Sequence, residues 1–308
     1  MSKFAFFFPG QGSQSVGMMQ GLASQPVVKQ TFEEASTVLG VDFWKMATEA
    51  NDDINLTQHT QPVMLTAGIA TWRVYQAMGG QLPAAMAGHS LGEYTALVAA
   101  GAISFADALP LVKFRAEVMQ QAVPEGQGAM AAILGLDDDT VRAVCSEAAQ
   151  GQVIQAVNFN SPGQVVIAGE KAAIERGMEL AKAKGAKRAL PLPVSVPSHC
   201  DLMKPAAEKL RDDLQSVTVQ TPAVPVLHNA DVAAYSDADR IKDALVRQLY
   251  SPVRWVETVQ QLAAQQILNS AECGPGKVLA GLAKRIVADM TCTALISEES
   301  MQAFVSQE

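Results

Sequence analysis

Cysteine is scarce in this chain, and the four present, Cys145, Cys200, Cys273 and Cys292, stand far apart with no C-x-x-C pair. That spacing argues against a zinc site and a disulfide framework, and it suits reduced thiols in a cytoplasmic protein. Positive charge is also short: 23 Lys and Arg face 31 Asp and Glu, a formal net charge of -8. A nucleic-acid partner would need a net basic surface or a strong local patch, so that class is disfavoured. The small basic clusters at Lys182-Lys184-Lys187-Arg188 and Lys284-Arg285 read first as solvated helix ends. A long apolar run is missing too. Phe4-Ala5-Phe6-Phe7-Phe8 stops at Pro9-Gly10, too short for a membrane span or a signal-peptide core, and reads as a buried first strand. No internal repeat or low-complexity linker is visible.

What remains is a chain of 308 residues, 49% hydrophobic and 18% charged, the composition of a soluble globular protein. At ~100–200 residues per domain, it holds one large domain or about two ordinary ones.

The stretch that organises the rest is Pro83 to Gly101. A short apolar run turns at Gly88-His89-Ser90-Leu91-Gly92 into an Ala/Leu/Val-rich helix, which is G-x-S-x-G in strand-turn-helix context. The flanking glycines let strand and helix pass closely and allow the strained backbone that exposes a serine hydroxyl. Ser90 is therefore the candidate nucleophile, and the Leu91 backbone N–H at the helix N-terminus faces a developing oxyanion.

Upstream, Pro9-Gly10-Gln11-Gly12-Ser13-Gln14 follows the first strand as a glycine-rich loop. G-x-G-x-x-G is incomplete and no Walker lysine follows, so the loop is expected to turn its N–H groups toward an active site. Helical patterns are expected at about 15–22, 26–40, 42–49 and 60–79, the last with Pro62 in its first turn. Another follows the elbow from Ser104 to about Ala122. From Gly128 the pattern becomes strand, helix, strand, strand, helix, strand, the order of a ferredoxin-like unit. A strand at Pro225 to Asn229, helices at Ala238 to Tyr250 and Val253 to Gln265, a strand at Ile267 to Glu272 and a last helix from about Lys277 resume the alternation. The fold class is α/β with a mostly parallel sheet, plus an inserted small α+β domain. The expected boundaries are 1–125 with 196–308 for the large domain and 126–195 for the insert.

A serine hydroxyl needs a neighbouring base. His59 opens a helix, His89 diverges from Ser90 at a tight turn, and His228 lies in the strand expected at Pro225 to Asn229. His199, on the proline-stiffened loop where the insert returns, is the preferred base among the four. No acid announces itself as orienter; a backbone carbonyl would serve, because fixing the tautomer needs only an acceptor. Arg115 sits on an apolar helix face. It is either a snorkelling or salt-bridged arginine or, in an acyl-transfer pocket, a fork for a carboxylate.

Pro9 to Gln14, Thr60-Gln61-Pro62, Gly88 to Glu93, Arg115, Asn158 to Gln164, Pro197-Ser198-His199 and Gly274-Pro275-Gly276 occur in one order. Together they resemble the malonyl-CoA:acyl carrier protein transacylases of bacterial fatty-acid synthesis, over essentially the whole chain. The resemblance implies a hydrolase-like core with the ferredoxin-like insert and a site between them. It implies Ser90 as nucleophile and His199 as base, Gln11 and Leu91 N–H groups as the oxyanion hole, and Arg115 as the malonyl carboxylate ligand. The Gln248 carbonyl would orient the histidine, and Gln61, His89 and Asn160 would line the pocket. The implied partners are a coenzyme A thioester and the acyl carrier protein, in a ping-pong reaction without metal or other cofactor. Two residues depart from relatives: Ser198 stands where polyketide enzymes often carry an aromatic, and Cys273 precedes Gly274-Pro275-Gly276. Carrier proteins of this pathway are acidic, so Arg188, Lys284 and Arg285 are expected to form a docking patch. The alternatives are a serine esterase or thioesterase, with water as acceptor, and a non-catalytic carrier-binding subunit.

Overall fold

A strand buried on both faces needs an unbroken apolar run, and Phe4–Phe8 (β1) is buried at all five positions. The computed structural model describes residues 3–194 and 196–307 of the chain. Further strands are Ala85–Gly88 (β2), Gly128–Leu134 (β3), Ile154–Ser161 (β4), Gln164–Glu170 (β5), Arg188–Pro191 (β6), Val226–Leu227 (β7), Asn269–Glu272 (β8) and Thr291–Ala294 (β9).

The first sheet has the order β7-β2-β1-β8-β9, and its pairs are parallel. On one face of β1, Phe6 meets the rings of Trp72 and Tyr75 at 5.4 and 4.7 Å. On the other, Phe7 meets Trp255 at 5.2 Å. Helices therefore cover both faces, as a parallel sheet requires. Because the strands are parallel, the loops after β1, β2, β7 and β8 emerge at one edge, where open α/β sheets bind ligands. Those loops carry Gln11, Ser90, Asn229 and Gly274.

The second sheet is antiparallel with the order β4-β5-β3-β6. It has the strand-helix-strand-strand-helix-strand sequence expected of a ferredoxin-like unit. Helices Asp138–Ala149 and Lys171–Ala183 pack on one face with Ile133, Val165 and Ile167. On the other face Met130, Val157, Val166 and Ala168 surround Cys200, the neighbour of His199. The two sheets are joined through Val253, whose N–H donates to Val157 O at 2.8 Å and whose carbonyl accepts from Phe159 N at 3.0 Å. The expected boundary at 195 falls on Ser195, which lies outside the described residues.

Three local expectations are corrected. Residues 15–22 are turns with a single 3-10 turn at Gln20–Leu22; Gly17 has φ +81°, and a Cβ on Gly21 would lie 2.2 Å from Ile296 O. The helix expected from 60 starts earlier, as Thr57–Ala77, which places Pro62 in its interior. The helix Val278–Ile286 is not the last element, since β9 and the helix Glu298–Val305 follow it.

Candidate active site

The elbow is shaped by close backbone approach. A Cβ on Gly88 would lie 1.9 Å from Gly92 C, and one on Gly92 would lie 2.0 Å from Phe8 O. Neither distance is possible for a real side chain, so both positions demand glycine. Ser90 between them has φ +51°, a left-handed conformation that costs of order 1–3 kcal/mol unless its surroundings enforce it.

Asn229, at the end of β7, supplies the enforcement. Its Oδ1 accepts from Ser90 N at 2.7 Å and its Nδ2 donates to Gly88 O at 2.6 Å. Glu93, fully buried in the first turn of the elbow helix Gly92–Ala99, holds Asn229 in turn. Its carboxylate accepts from Asn229 N at 2.8 Å, from His228 Nδ1 at 2.7 Å and from Gln248 Nε2 at 2.9 Å. A buried carboxylate is tolerable only when donors meet it from several sides. His228 is thus the partner of Glu93 and has no contact with Ser90.

His199 also has a left-handed backbone, φ +68°, and its N–H donates to Leu249 O at 3.0 Å. Its Nδ1–H donates to the Gln248 carbonyl at 2.8 Å, which leaves Nε2 as acceptor for the Ser90 hydroxyl at 2.8 Å. The Gln248 carbonyl thus holds the ring with Nε2 toward Ser90. Burial and, secondarily, the Arg115 charge push the His199 pKa down to about 3, so the imidazole is neutral and able to take a proton at pH 7. His89 diverges from the serine as expected: its Nε2 meets Asn160 Oδ1 at 2.8 Å, and burial lowers its pKa.

Arg115 projects from the helix Phe105–Ala122, which Ser104 caps by accepting from Asp107 N at 3.0 Å. The guanidinium is 1% exposed. It donates to Gln61 Oε1 at 2.7 Å, to Gln248 Oε1 at 3.0 Å and to Ser90 Oγ at 3.3 Å, and lies over the Tyr94 ring at 5.3 Å. This is neither a snorkelling arginine nor a salt-bridged one. Burial lowers its pKa.

These groups open on a cavity of about 130 Å³, walled by Gln61, His89 and Met119 on one side and by Met130, Asn158 and Leu192 on the other. Gln11 and Leu91 also border it, and neither of their N–H groups has an acceptor among the described residues. Asn160 reaches the site through His89, and Gln248 stands behind Arg115, so neither lines the cavity itself. A more open hollow of about 480 Å³ at the far end of the elbow helix has no histidine or cysteine among its described lining residues. Among the described residues no cluster of His, Cys, Asp and Glu could hold a metal.

Of the three basic residues, Arg285 donates to Gln164 Oε1 at 3.2 Å. Gln164 pairs with Leu134, and Leu134 with Arg188, so Arg188 lies two strand spacings, about 10 Å, from Gln164. Lys284 and Arg285 share the last turn of Val278–Ile286, and all three side chains are exposed. Asn229, Glu93 and the Gln248 side chain are the site residues that the sequence did not reveal.

Residues 5–302 match the acyl transferase domain. The malonyl CoA-acyl carrier protein transacylase of Escherichia coli K12 is 58% identical over 98% of this chain and 99% of its own. A structure of the Coxiella burnetii transacylase of the same name superimposes with TM-score 0.98 at 46% identity, covering 99% and 98% of the two chains. A malonyl-transacylase solved in complex with its type II PKS acyl-carrier protein has TM-score 0.98 at 53% identity over the full length of both chains. The chain belongs to the acyl transferase domain family and, within it, to the malonyl CoA-acyl carrier protein transacylases.

Proposed function

We propose that this acyltransferase moves a malonyl group from malonyl-CoA to the phosphopantetheine thiol of an acyl carrier protein, through a malonyl ester on Ser90, in cytoplasmic fatty-acid synthesis. The observation that carries the reading is the line Gln248 O, His199, Ser90 Oγ, closed at its far end by the Arg115 guanidinium. A neutral base, a nucleophile and a fixed cation for the distal carboxylate stand in contact.

In the first half-reaction Ser90 Oγ bonds to the thioester carbonyl carbon and its proton passes to His199 Nε2. The oxyanion is met by the N–H groups of Leu91 and Gln11. The C–S bond breaks and the coenzyme A thiolate takes the proton from His199. In the second, the carrier thiol gives its proton to His199 and its sulfur bonds to the Ser90 ester carbonyl carbon; the ester C–O bond breaks and Ser90 Oγ takes the proton back from His199. Arg115 pairs with the malonyl carboxylate throughout, with Gln61 and Gln248 holding its fork. No metal or redox cofactor enters this sequence. For the carrier, the related complex with an acyl-carrier protein supports a transient partner, and Arg188, Lys284 and Arg285 offer it a basic edge. Free thiols at the cysteines and the absence, among the described residues, of a helix long and apolar enough to cross a membrane are compatible with the proposed compartment.

Two-substrate kinetics test the sequence of steps. Parallel double-reciprocal lines for malonyl-CoA and carrier protein, with isolated malonyl-enzyme competent to load carrier, are expected. Intersecting lines and an enzyme that stays unmodified without carrier would overturn the serine intermediate.

A further inference from the structure

Among the described residues, Arg115 is a buried cation with no anion in contact: its acceptors are two amide oxygens and the Ser90 hydroxyl, and its Nε has no partner. The closest carboxylate in the network, Glu93, touches the other end of the Gln248 amide and is otherwise occupied by His228 and Asn229. His89, the second imidazole of the site, is held neutral by burial. With the acyl pocket empty, the field on the Ser90–His199 pair is therefore positive.

That field opposes the first step of catalysis. For Ser90 to attack, its proton must move to His199 Nε2, which creates an imidazolium. Ser90 Oγ lies between the two groups, 3.3 Å from Arg115 Nη2 and 2.8 Å from His199 Nε2. The two cations would stand within roughly 6 Å, a repulsion of about a hundredfold in the proton-transfer equilibrium at an effective dielectric of ~20. Arg115 also donates to a lone pair of the oxygen that must attack. Its charge is one of the causes that hold the His199 pKa low.

We propose that Arg115, when unpaired, keeps the Ser90–His199 pair inactive, and that the carboxylate of the incoming acyl group releases it. The inference rests on the malonyl-transfer reading. A carboxylate in the guanidinium fork neutralises the charge facing His199 and draws Nη2 from Ser90 Oγ, so the same contact that binds the substrate switches on the base. The carboxylate remains while malonyl is on the serine, so the base is also available for transfer to the carrier thiol. A neutral acyl group leaves the repulsion in place. Discrimination then appears in the rate of the bound complex as well as in affinity, which separates this role from that of a simple clamp.

The test compares single-turnover acylation of Ser90 at saturating malonyl-CoA and saturating malonamyl-CoA, whose terminal amide copies the shape of the carboxylate without its charge. In the wild-type enzyme the saturated rate with malonamyl-CoA is expected to be about a hundredfold lower. Arg115→Met keeps much of the stem and removes the charge. It should raise the saturated malonamyl rate about a hundredfold, toward the wild-type malonyl rate, and so abolish the difference between the two substrates. Equal saturated rates in the wild type, with the difference confined to the half-saturating concentration, would overturn the proposal. So would a slower malonamyl reaction in Arg115→Met, the result of a positioning role alone. The wild-type comparison decides even where that variant fails to fold. A wild-type enzyme that forms no malonyl adduct would instead overturn the transacylase reading itself.

Discussion

On the Ser90 side of the cleft, two glycines pressed against backbone, the Asn229 clamp and the Glu93 carboxylate all fix one turn of chain. On the β4 side, the His89–Asn160 contact is the single side-chain hydrogen bond to the elbow among the described residues. The first wall must hold Ser90, with φ +51°, so that its Oγ stays 2.8 Å from His199 Nε2. The second has only to shape a pocket. Strained geometry needs several independent restraints, whereas a cavity wall needs volume and one polar anchor.

The largest effect should come from Gly92→Ala, because the added Cβ would lie 2.0 Å from Phe8 O and backbone must move. We expect a loss above about 4 kcal/mol in urea unfolding or no folded protein; a loss below about 1 kcal/mol would show that the elbow yields easily. Asn229→Ala comes next, since it strands the Ser90 N–H and the Gly88 carbonyl. It should cost about 2–4 kcal/mol and slow acylation about a hundredfold. Asn160→Ala should be the mildest, with acylation reduced by no more than about tenfold. If Asn160→Ala slows acylation more than Asn229→Ala, the contrast between the two walls is wrong.

The sequence exposed the parts of the site that carry a local pattern. G-x-S-x-G, the proline-stiffened loop at His199 and the isolated Arg115 are each recognisable within a few residues. The ferredoxin-like order of elements was legible for the same reason, because its strands and helices are punctuated by Gly126, Gly151, Gly163 and Gly185, all with positive φ. The supporting network was not. Asn229 and the Gln248 side chain meet the elbow from more than 130 residues away, and nothing in the sequence around them marks these side chains off from surface polar ones. Glu93 stands in a first helical turn, where the helix dipole favours any acidic residue, so its position gives no sign that its side chain is fully buried. Strand β9 was missed because Thr-Cys-Thr-Ala at a sheet edge is half exposed and lacks the apolar run that marked β1. Pro62 misled the placement of its helix start, since proline is most at home in a first turn and here lies inside a 21-residue helix.

The most direct measurement of the central claim is peptide mapping of the enzyme after brief mixing with malonyl-CoA and acid quenching. A malonyl ester on Ser90, absent from Ser90→Ala, is the result predicted by the hydroxyl's contacts with His199 and Arg115. A malonyl group found on another residue, or an unmodified enzyme that still loads carrier protein, would contradict it.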